Sequence, residues 1–550
     1  MARRRDRGAL GAPHLLDRPR GGPVACGASG SPGAGDRPGP SRRLPRGGAA
    51  AGPAAGVRPD LPAGVFRETR VRRGGEVPAP PQGLAGLPEL RELPRLRRGG
   101  GDARGGPVIP PGFWERVHRA AAGPWQAGVW WEEGLRVEGT GESRVAERWA
   151  EGYVTLRVDL GGGRVGFAAV PLGPGARWTP EELAEAARQA ARAQDPVPGA
   201  GLEGPVGPAP PDDLGIRDPA VAGLSPGDLA EAVGRIEASA RAAHPRVASV
   251  RKPAVEVVRV RREIRTGAGE AVAWEETAVS ASAEAAAEAG DEARSGWASA
   301  DARRWADLDP EAVGREAGLR AAELLGGRPC PTGRFPLVLD ARAAADLLDV
   351  LAPSFLGENV EKGFSVFRRL GETVAPAEVT LADEGLRPGG LHTQPVDDEG
   401  EPRRTTVVVD RGRLAAFLHD RASGRRAGVG STGNAVGGPG GPPGPEVTNL
   451  VWRPGTGGDL AALLGRAGRG LLVRELLGLH TADPVTGEFS VGCAGIWFEG
   501  GEPAYPVTGA ALSGTLPELL RRVAAVGSVP EVHGHLVAPA VLVEGMDLAG

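Results

Sequence analysis

Cysteine is scarce. Cys26, Cys330 and Cys493 are the three in a chain of 550 residues, and no CxxC or Cys/His ligand spacing joins them. That excludes a disulfide framework and a structural zinc knuckle, and it points to a reducing, cytoplasmic compartment. Long apolar runs are missing as well. No stretch reaches the about 18 apolar residues that a spanning helix needs. No membrane segment is therefore expected, and the Arg-rich N-terminus lacks the apolar region of a secretory signal. Lysine is nearly absent, with Lys252 and Lys362 standing against 63 arginines. Together with abundant Ala, Gly and Pro, this bias reads as GC-rich coding rather than as an adaptation. Methionine occurs only as Met1 and Met546.

Glycine and proline are plentiful, at 88 and 52 residues, about a quarter of the chain against a usual ~12%. They concentrate at the front, where residues 1–110 hold 23 Gly and 17 Pro. The charge divides in the same place. That segment carries 20 Arg, no Lys and 9 acids, net +11, so the rest is net −15 within a total of −4. Runs such as SGSPGAGDRPGP (29–40) show no periodicity and too little apolar content to offset an ordering cost of ~1–2 kcal/mol per residue. Residues 1–110 are expected to be disordered. Three readings stay open: an Arg-rich tail touching anionic partners, an inert extension, or a mis-called start upstream of a true one near Val108. The acidic body argues against nucleic-acid binding, which needs clustered Lys and Arg.

Residues 111–550 read as α+β in several domains: two smaller α/β units, 111–205 and 206–330, then a β-rich C-terminal domain, 331–550. Phe113–Ala122 reads as a short helix. Period-two runs flank Gly161–Gly163, a hairpin signal. Thr179-Pro180-Glu181-Glu182 opens a helix to Gln194, with Thr179 as N-cap and proline at the first turn. Residues 195–211 read as a linker. Leu224-Ser225-Pro226 starts a helix to Ala243. Strands are expected over Ala248–Thr266 and Glu270–Ser282, and a helix over Asp309–Leu325. In the third unit Phe335–Leu339 reads as a strand and Ala341–Leu351 as a helix. Further strands are expected at Val379–Leu381, Arg404–Asp410, Gly412–Leu418, Glu488–Ile496 and Val537–Val543, and a helix at Leu516–Ala525.

Local motifs yield no credible active site. The eight histidines (14, 118, 244, 392, 419, 480, 533 and 535) form neither HExxH nor HExxxH. His533 and His535 are the close pair. On a strand they would face one way and allow joint ligation, but two exposed loop histidines are the plainer reading. No GxSxG elbow and no Walker loop occurs. The prolines of Gly437–Gly444 (GGPGGPPG) remove N–H donors that a phosphate cradle needs, so a flexible loop is expected. Cys493 lies in an apolar strand and reads as an inert buried thiol. Asp397-Asp398-Glu399 could hold a cation, yet three acids at a turn are usually solvated. Polar residues set among glycines recur at 397–400, 431–434, 448–449 and 486–490. Such clusters suit tight bends, and equally a groove that binds an extended peptide through its main chain.

The same strings, in this order, resemble the TldD/PmbA family and within it the PmbA (TldE) branch. The carriers run from Arg164–Ala168 through Gly333–Leu339, Asp397–Gly400, Ser431–Ala435, Thr448–Leu450 and Gly470–Val473. They continue through Thr486–Ser490, Gly495–Glu499, Tyr505–Val507 and Ala525–Gly527. The resemblance covers Glu115–Gly550 and leaves the head outside. It implies a cytosolic heterodimeric metallopeptidase that degrades peptides and unfolded segments. In it a TldD-type subunit holds zinc on a HExxxH helix and a later cysteine, and a PmbA-type subunit completes the substrate channel. Carried over by motif, the channel residues are Asp397, Glu399, Gly400, Ser431, Thr432, Gly433, Asn434, Thr448, Asn449, Gly487, Phe489 and Ser490.

Aligned on Leu347-Leu348, the family histidines would fall at Asp349 and Ser354, and the catalytic glutamate at Val350. The late cysteine falls in the window Glu531–Leu536, where His533 and His535 are weak candidates. The resemblance therefore implies no catalytic residue, no zinc and no other cofactor in this chain alone. It implies a TldD-type zinc subunit and a peptide or unfolded protein as partners, with no nucleic acid and no membrane. Two alternatives remain: an independent peptidase with an unrecognised site, and a non-enzymatic peptide-binding homodimer.

Overall fold

The computed structural model describes residues 91–92 and 109–550, apart from 142, 174–175, 203, 205 and 208–212. The expected disordered head therefore lies almost wholly outside the described residues. Residues 89–550 fall in one compact unit, while 17–88, the other unit, lie outside the description. The structure is mixed α and β, with 25% helix and 43% strand, as the patterning predicts.

The first half builds one long sheet. Its strands are β1 (Arg91–Glu92), β2 (Trp125–Glu138), β3 (Val145–Asp159), β4 (Val165–Leu172), β5 (Val247–Thr266), β6 (Ala271–Ala289) and β7 (Glu292–Ala302). Their order is β1-β3-β2-β5-β6-β7, with β4 also paired to β3. Strands from the 111–205 and 206–330 segments are thus hydrogen-bonded side by side, β2 against β5. Four helices pack on it: α1 (Phe113–Ala121), α2 (Pro180–Ala193), α3 (Pro226–Ala243) and α4 (Pro310–Glu323). Because side chains alternate along a strand, Val137, Val255, Val257, Val279 and Ala281 meet Leu229, Ile236 and Ala317 on one face. The opposite face carries Glu132, Arg136, Glu256, Arg262, Glu276 and Asp301. At the far end Phe113, Val117 and Leu183 cover Trp125 and Leu156. Gly314 lets α3 and α4 touch, since a Cβ there would lie 2.1 Å from the Ile236 carbonyl oxygen. Thr179 and Ser225 each close a capping box, with Glu182 and Asp228, and each cap is worth roughly 1 kcal/mol.

The second half begins with β8 (Gly333–Leu339), α5 (Ala341–Leu351), α6 (Gly357–Lys362), β9 (Leu381–Glu384), β10 (Thr405–Asp410) and β11 (Arg413–Leu414). It continues through α7 (Arg421–Ala427), β12 (Ala435–Gly438), β13 (Gly441–Pro445), β14 (Leu450–Trp452) and α8 (Leu460–Ala467). The last elements are β15 (Arg469–Leu477), β16 (Glu488–Glu499), β17 (Glu502–Thr515), α9 (Leu516–Arg521), β18 (Val523–His533) and β19 (Leu536–Ala549). The pairings β8-β15-β16-β17-β19, together with β19 to β8, close into a ring. Leu337, Leu339, Val473 and Val541 pack with Leu347, Leu348 and Leu351 of α5. Val338, Leu472 and Leu542 point the other way, onto Leu463 and Leu464 of α8.

Four local expectations are corrected. The helix at Leu516–Ala525 stops at Arg521, because Val523–Val526 pair with β19. The strand at Gly412–Leu418 shrinks to two residues. Gly437–Gly444 is not a free loop: β12 and β13 form a hairpin there, and Gly437 N–H donates to Asp398 Oδ2 at 2.7 Å. Asp397 and Glu399 are not solvated, being 0% and 3% exposed.

Candidate functional site

Helix α5 is capped by Asp340, whose carboxylate accepts from Ala343 N–H at 2.8 Å. Ala344, Leu347, Leu348 and Leu351 are buried, which leaves Asp349 exposed and Arg342 and Asp346 half-buried. The Arg342 guanidinium lies 4.8 Å over the Trp297 ring, bringing α5 beside β7. His535 sits in the two-residue turn between β18 and β19. Its ring stacks on His392 with centroids 4.3 Å apart and planes 10° from parallel. Burial lowers both imidazoles below their ordinary value, and His392 is pushed further by His535 and by Arg303, Arg403 and Arg262. Asp349 is within electrostatic reach of His535 and pulls it the other way, without overcoming burial. Two imidazoles held in their neutral form thus share one spot with a carboxylate.

Behind the pair lies a buried polar network containing most of the glycine-set motifs. The Asn449 side chain accepts from His392 N–H at 3.1 Å and donates to Thr393 Oγ1 at 3.0 Å. Asp383 accepts from Thr448 N–H, Thr448 Oγ1 and Asn434 Nδ2 at 2.6, 2.9 and 2.8 Å. Burial raises its carboxyl to about 6 against those donors. Thr432 Oγ1 donates to Asn434 Oδ1, and Ser431 Oγ accepts from Gly433 N–H. Gly433 has φ 76°, and a Cβ there would lie 2.4 Å from the Pro402 carbonyl oxygen. Asp397 accepts three backbone N–H bonds, from Glu399, Glu401 and Ala435, each at 2.9 Å. Burial still raises it to about 7. Gly400 accepts from Gly207 N–H at 2.8 Å.

The network ties the two halves of the fold together. Glu399 takes Arg157 Nη1 at 2.8 Å and Arg421 N–H at 2.7 Å. Arg303 reaches from β7's end to Glu276 and to the carbonyls of Gly390 and Leu391, fixing the segment that carries His392. These motifs therefore build a rigid floor. The remaining motif residues lie elsewhere, at the start of β16. Gly487, at φ 73°, closes a turn onto Asp483, Phe489 is core, and Ser490 is exposed.

His533 and His535 do not share a face. His533 is buried at the end of β18, 3.6 Å from Glu531, while His535 stands in the turn. The exposed-loop reading of that pair is corrected by the same observation. Cys493 is buried and its thiol is pushed up to about 12, so it is inert at neutral pH.

A catalytic zinc takes three protein ligands and leaves an open position beside a base. At the positions implied by the resemblance, Asp349 offers one carboxylate, Val350 no base, and the buried Ser354 bonds to the segment after α6. Among the described residues no group of three or more His, Cys, Asp or Glu side chains is placed to hold a metal ion. These residues do not fit a catalytic zinc. His392 and Arg303 carry no motif, and only the fold brings them to the site.

Models of the PmbA/TldA metallopeptidase central and C-terminal domains match residues 220–325 and 332–550. The Escherichia coli O157:H7 metalloprotease PmbA is 30% identical over 251 residues, 45% of this chain and 53% of its own. A Haemophilus influenzae PmbA homolog is 27% identical over 239 residues, 43% of this chain and 51% of its own. The chain thus spans about half the length of the curated relatives it matches. Among solved structures, a Thermotoga maritima protein described as a candidate modulator of a DNA gyrase superposes with a TM-score of 0.72 at 28% identity, covering 80% of this chain and 99% of that one. TldE from Thermococcus kodakarensis gives 0.68 at 22% identity over 79% and 98%, a likeness of fold.

Proposed function

The chain belongs to the PmbA/TldD metallopeptidase family, and from that premise we propose that it is a PmbA/TldE-type subunit that leaves the zinc to a TldD-type partner. In this reading it completes a chamber in which peptides and unfolded segments are degraded, and it works in the cytoplasm. One observation carries the reading. Asp349 and Val350 on α5, and Ser354 in the turn that follows it, stand where the family's zinc helix would need two histidines and a glutamate, so neither a ligand set nor a base stands there. The motif residues from Asp397 to Asn449 would then hold the chamber floor in shape rather than perform chemistry. Among the described residues no helix is long and apolar enough to cross a membrane.

The stacked His392 and His535 beside Asp349 favour one other reading, an independent hydrolase using an imidazole as base. Co-expression with a TldD-type protein separates the two. The proposal expects a complex whose peptidase activity depends on both chains and is lost on chelation. Hydrolysis by this chain alone would support the other reading.

A further inference from the structure

On the polar face of the first sheet, four residues stand in one row across four strands. Arg136 of β2 opposes Glu256 of β5, which opposes Ser280 of β6, which opposes Asp301 of β7. A cation stands at one end, where Arg136 reaches Glu256 at 3.1 Å and Glu138 at 2.6 Å. Asp301, at the other end, has no such cation among the described residues. Asp301 Oδ2 is shielded from water and has no hydrogen-bond partner, and the charge that acts on Asp301 is another acid, Glu256. A buried acceptor left without a donor is costly, which marks a place where a partner belongs.

β7 is the last strand of its sheet. Among the described residues no further strand pairs with β7, so a strand facing Asp301 across the next ladder would come from another chain, while at Trp297 the backbone carbonyl already accepts from Arg342 Nη1 at 3.5 Å. Directly opposed residues on neighbouring strands lie about 5 Å apart, and opposite charges there attract. Four residues earlier on the same face stands Trp297, with the Arg342 guanidinium already stacked on it. A second cation would be repelled there. The register is therefore selective: positive charge is matched at Asp301 and opposed at Trp297.

We infer that the β7 edge beside Asp301 is a subsite for an extended peptide carrying an arginine or lysine, with Asp301 as its counter-ion. This rests on the peptide-handling reading and names the substrate chemistry within it. Main-chain pairing to β7 would hold the peptide, and Asp301 would set which residue lies opposite.

The test uses the full chain and fluorescent peptides of about twelve Ser, Thr and Val residues with one central arginine, a length that exceeds the β7 edge. A twin peptide replaces the arginine by neutral citrulline, and a third methylates alternate backbone nitrogens. Anisotropy should show the arginine peptide binding about tenfold tighter than its citrulline twin, a factor within the range of a desolvated charge pair. Asp301→Asn, nearly the same shape, should reduce that ratio to near one while the citrulline peptide binds as before. The N-methylated peptide should bind neither protein. Equal binding of both twins to the unmodified chain, a preference that survives in Asp301→Asn, or tight binding of the N-methylated peptide overturns the subsite alone. If no peptide binds at all, the peptide-handling reading falls with it. The N-methylated arm reads the edge without any substitution, so a poorly folded variant would not blunt the test.

Discussion

The rings of His392 and His535 stack 4.3 Å apart, one from the segment after β9 and the other from the turn before β19. His392 is held from behind by Asn449 and His535 faces Asp349 of α5. The contact therefore joins the polar floor to α5, the helix onto which the resemblance would map a zinc site.

Both imidazoles have lowered values in the folded chain, so the unfolded chain binds more protons. Stability contributed by their neutral forms is complete above the ordinary histidine value and is lost as pH falls through the folded one. Urea unfolding should show stability dropping by on the order of 1–3 kcal/mol between pH 7 and pH 5. His535→Phe keeps the stack without the proton and should remove part of that drop. An unchanged pH slope in His535→Phe would contradict the assignment.

Asp301 gives the opposite sign. Burial and Glu256 raise its carboxyl to about 7, so the protonated form favours folding. Its contribution is complete below the ordinary aspartate value and is lost as pH rises through about 7. Without peptide, the unmodified chain should lose stability relative to Asp301→Asn between pH 5 and pH 8. Parallel melting-temperature profiles for the two proteins would show that Asp301 is not strained.

Arg157 and Glu399 form a buried pair at 2.8 Å between the first sheet and the second half. Removing one partner leaves the other charge uncompensated, at a cost of about 3–5 kcal/mol. Arg157→Met and Glu399→Gln should each destabilise by this order in denaturant titration. The double variant should cost less than the sum of the two. Additive losses would mean that the pair is not coupled.

Cys493 should resist alkylation. Its thiol is 1% exposed and raised to about 12, so almost no thiolate exists at neutral pH. Peptide mass spectrometry after iodoacetamide should find it unmodified in the native protein and modified in guanidinium. Rapid native labelling would reopen it as a nucleophile.

Much of the architecture was legible where the signal is local. Thr179-Pro180 and Ser225-Pro226 announce their helices through capping chemistry, and the glycines 161–163 announce a hairpin. Strand β2 was missed because Trp130, Trp131 and Glu132 break its alternation, the polar face being covered by other parts of the fold. Leu516–Ala525 misled because a short apolar run suits helix and strand alike, and pairing with β19 decided between them. The floor was half legible. Asp397, Asn434 and Thr448 stood out as polar residues among glycines. Their partner Asp383 lies 51 and 65 residues away from Asn434 and Thr448 and is visible only once the chain is folded. His392 and Asp301 carry no motif at all.

The central claim is that this chain works without a zinc of its own. Metal analysis of the purified chain, read together with its hydrolysis of an unstructured peptide, tests it most directly. The account predicts substoichiometric zinc and no hydrolysis by the chain alone, with activity and zinc both present in the complex with a TldD-type partner. One zinc per chain, with hydrolysis that survives in the partner's absence and stops on chelation, would contradict it.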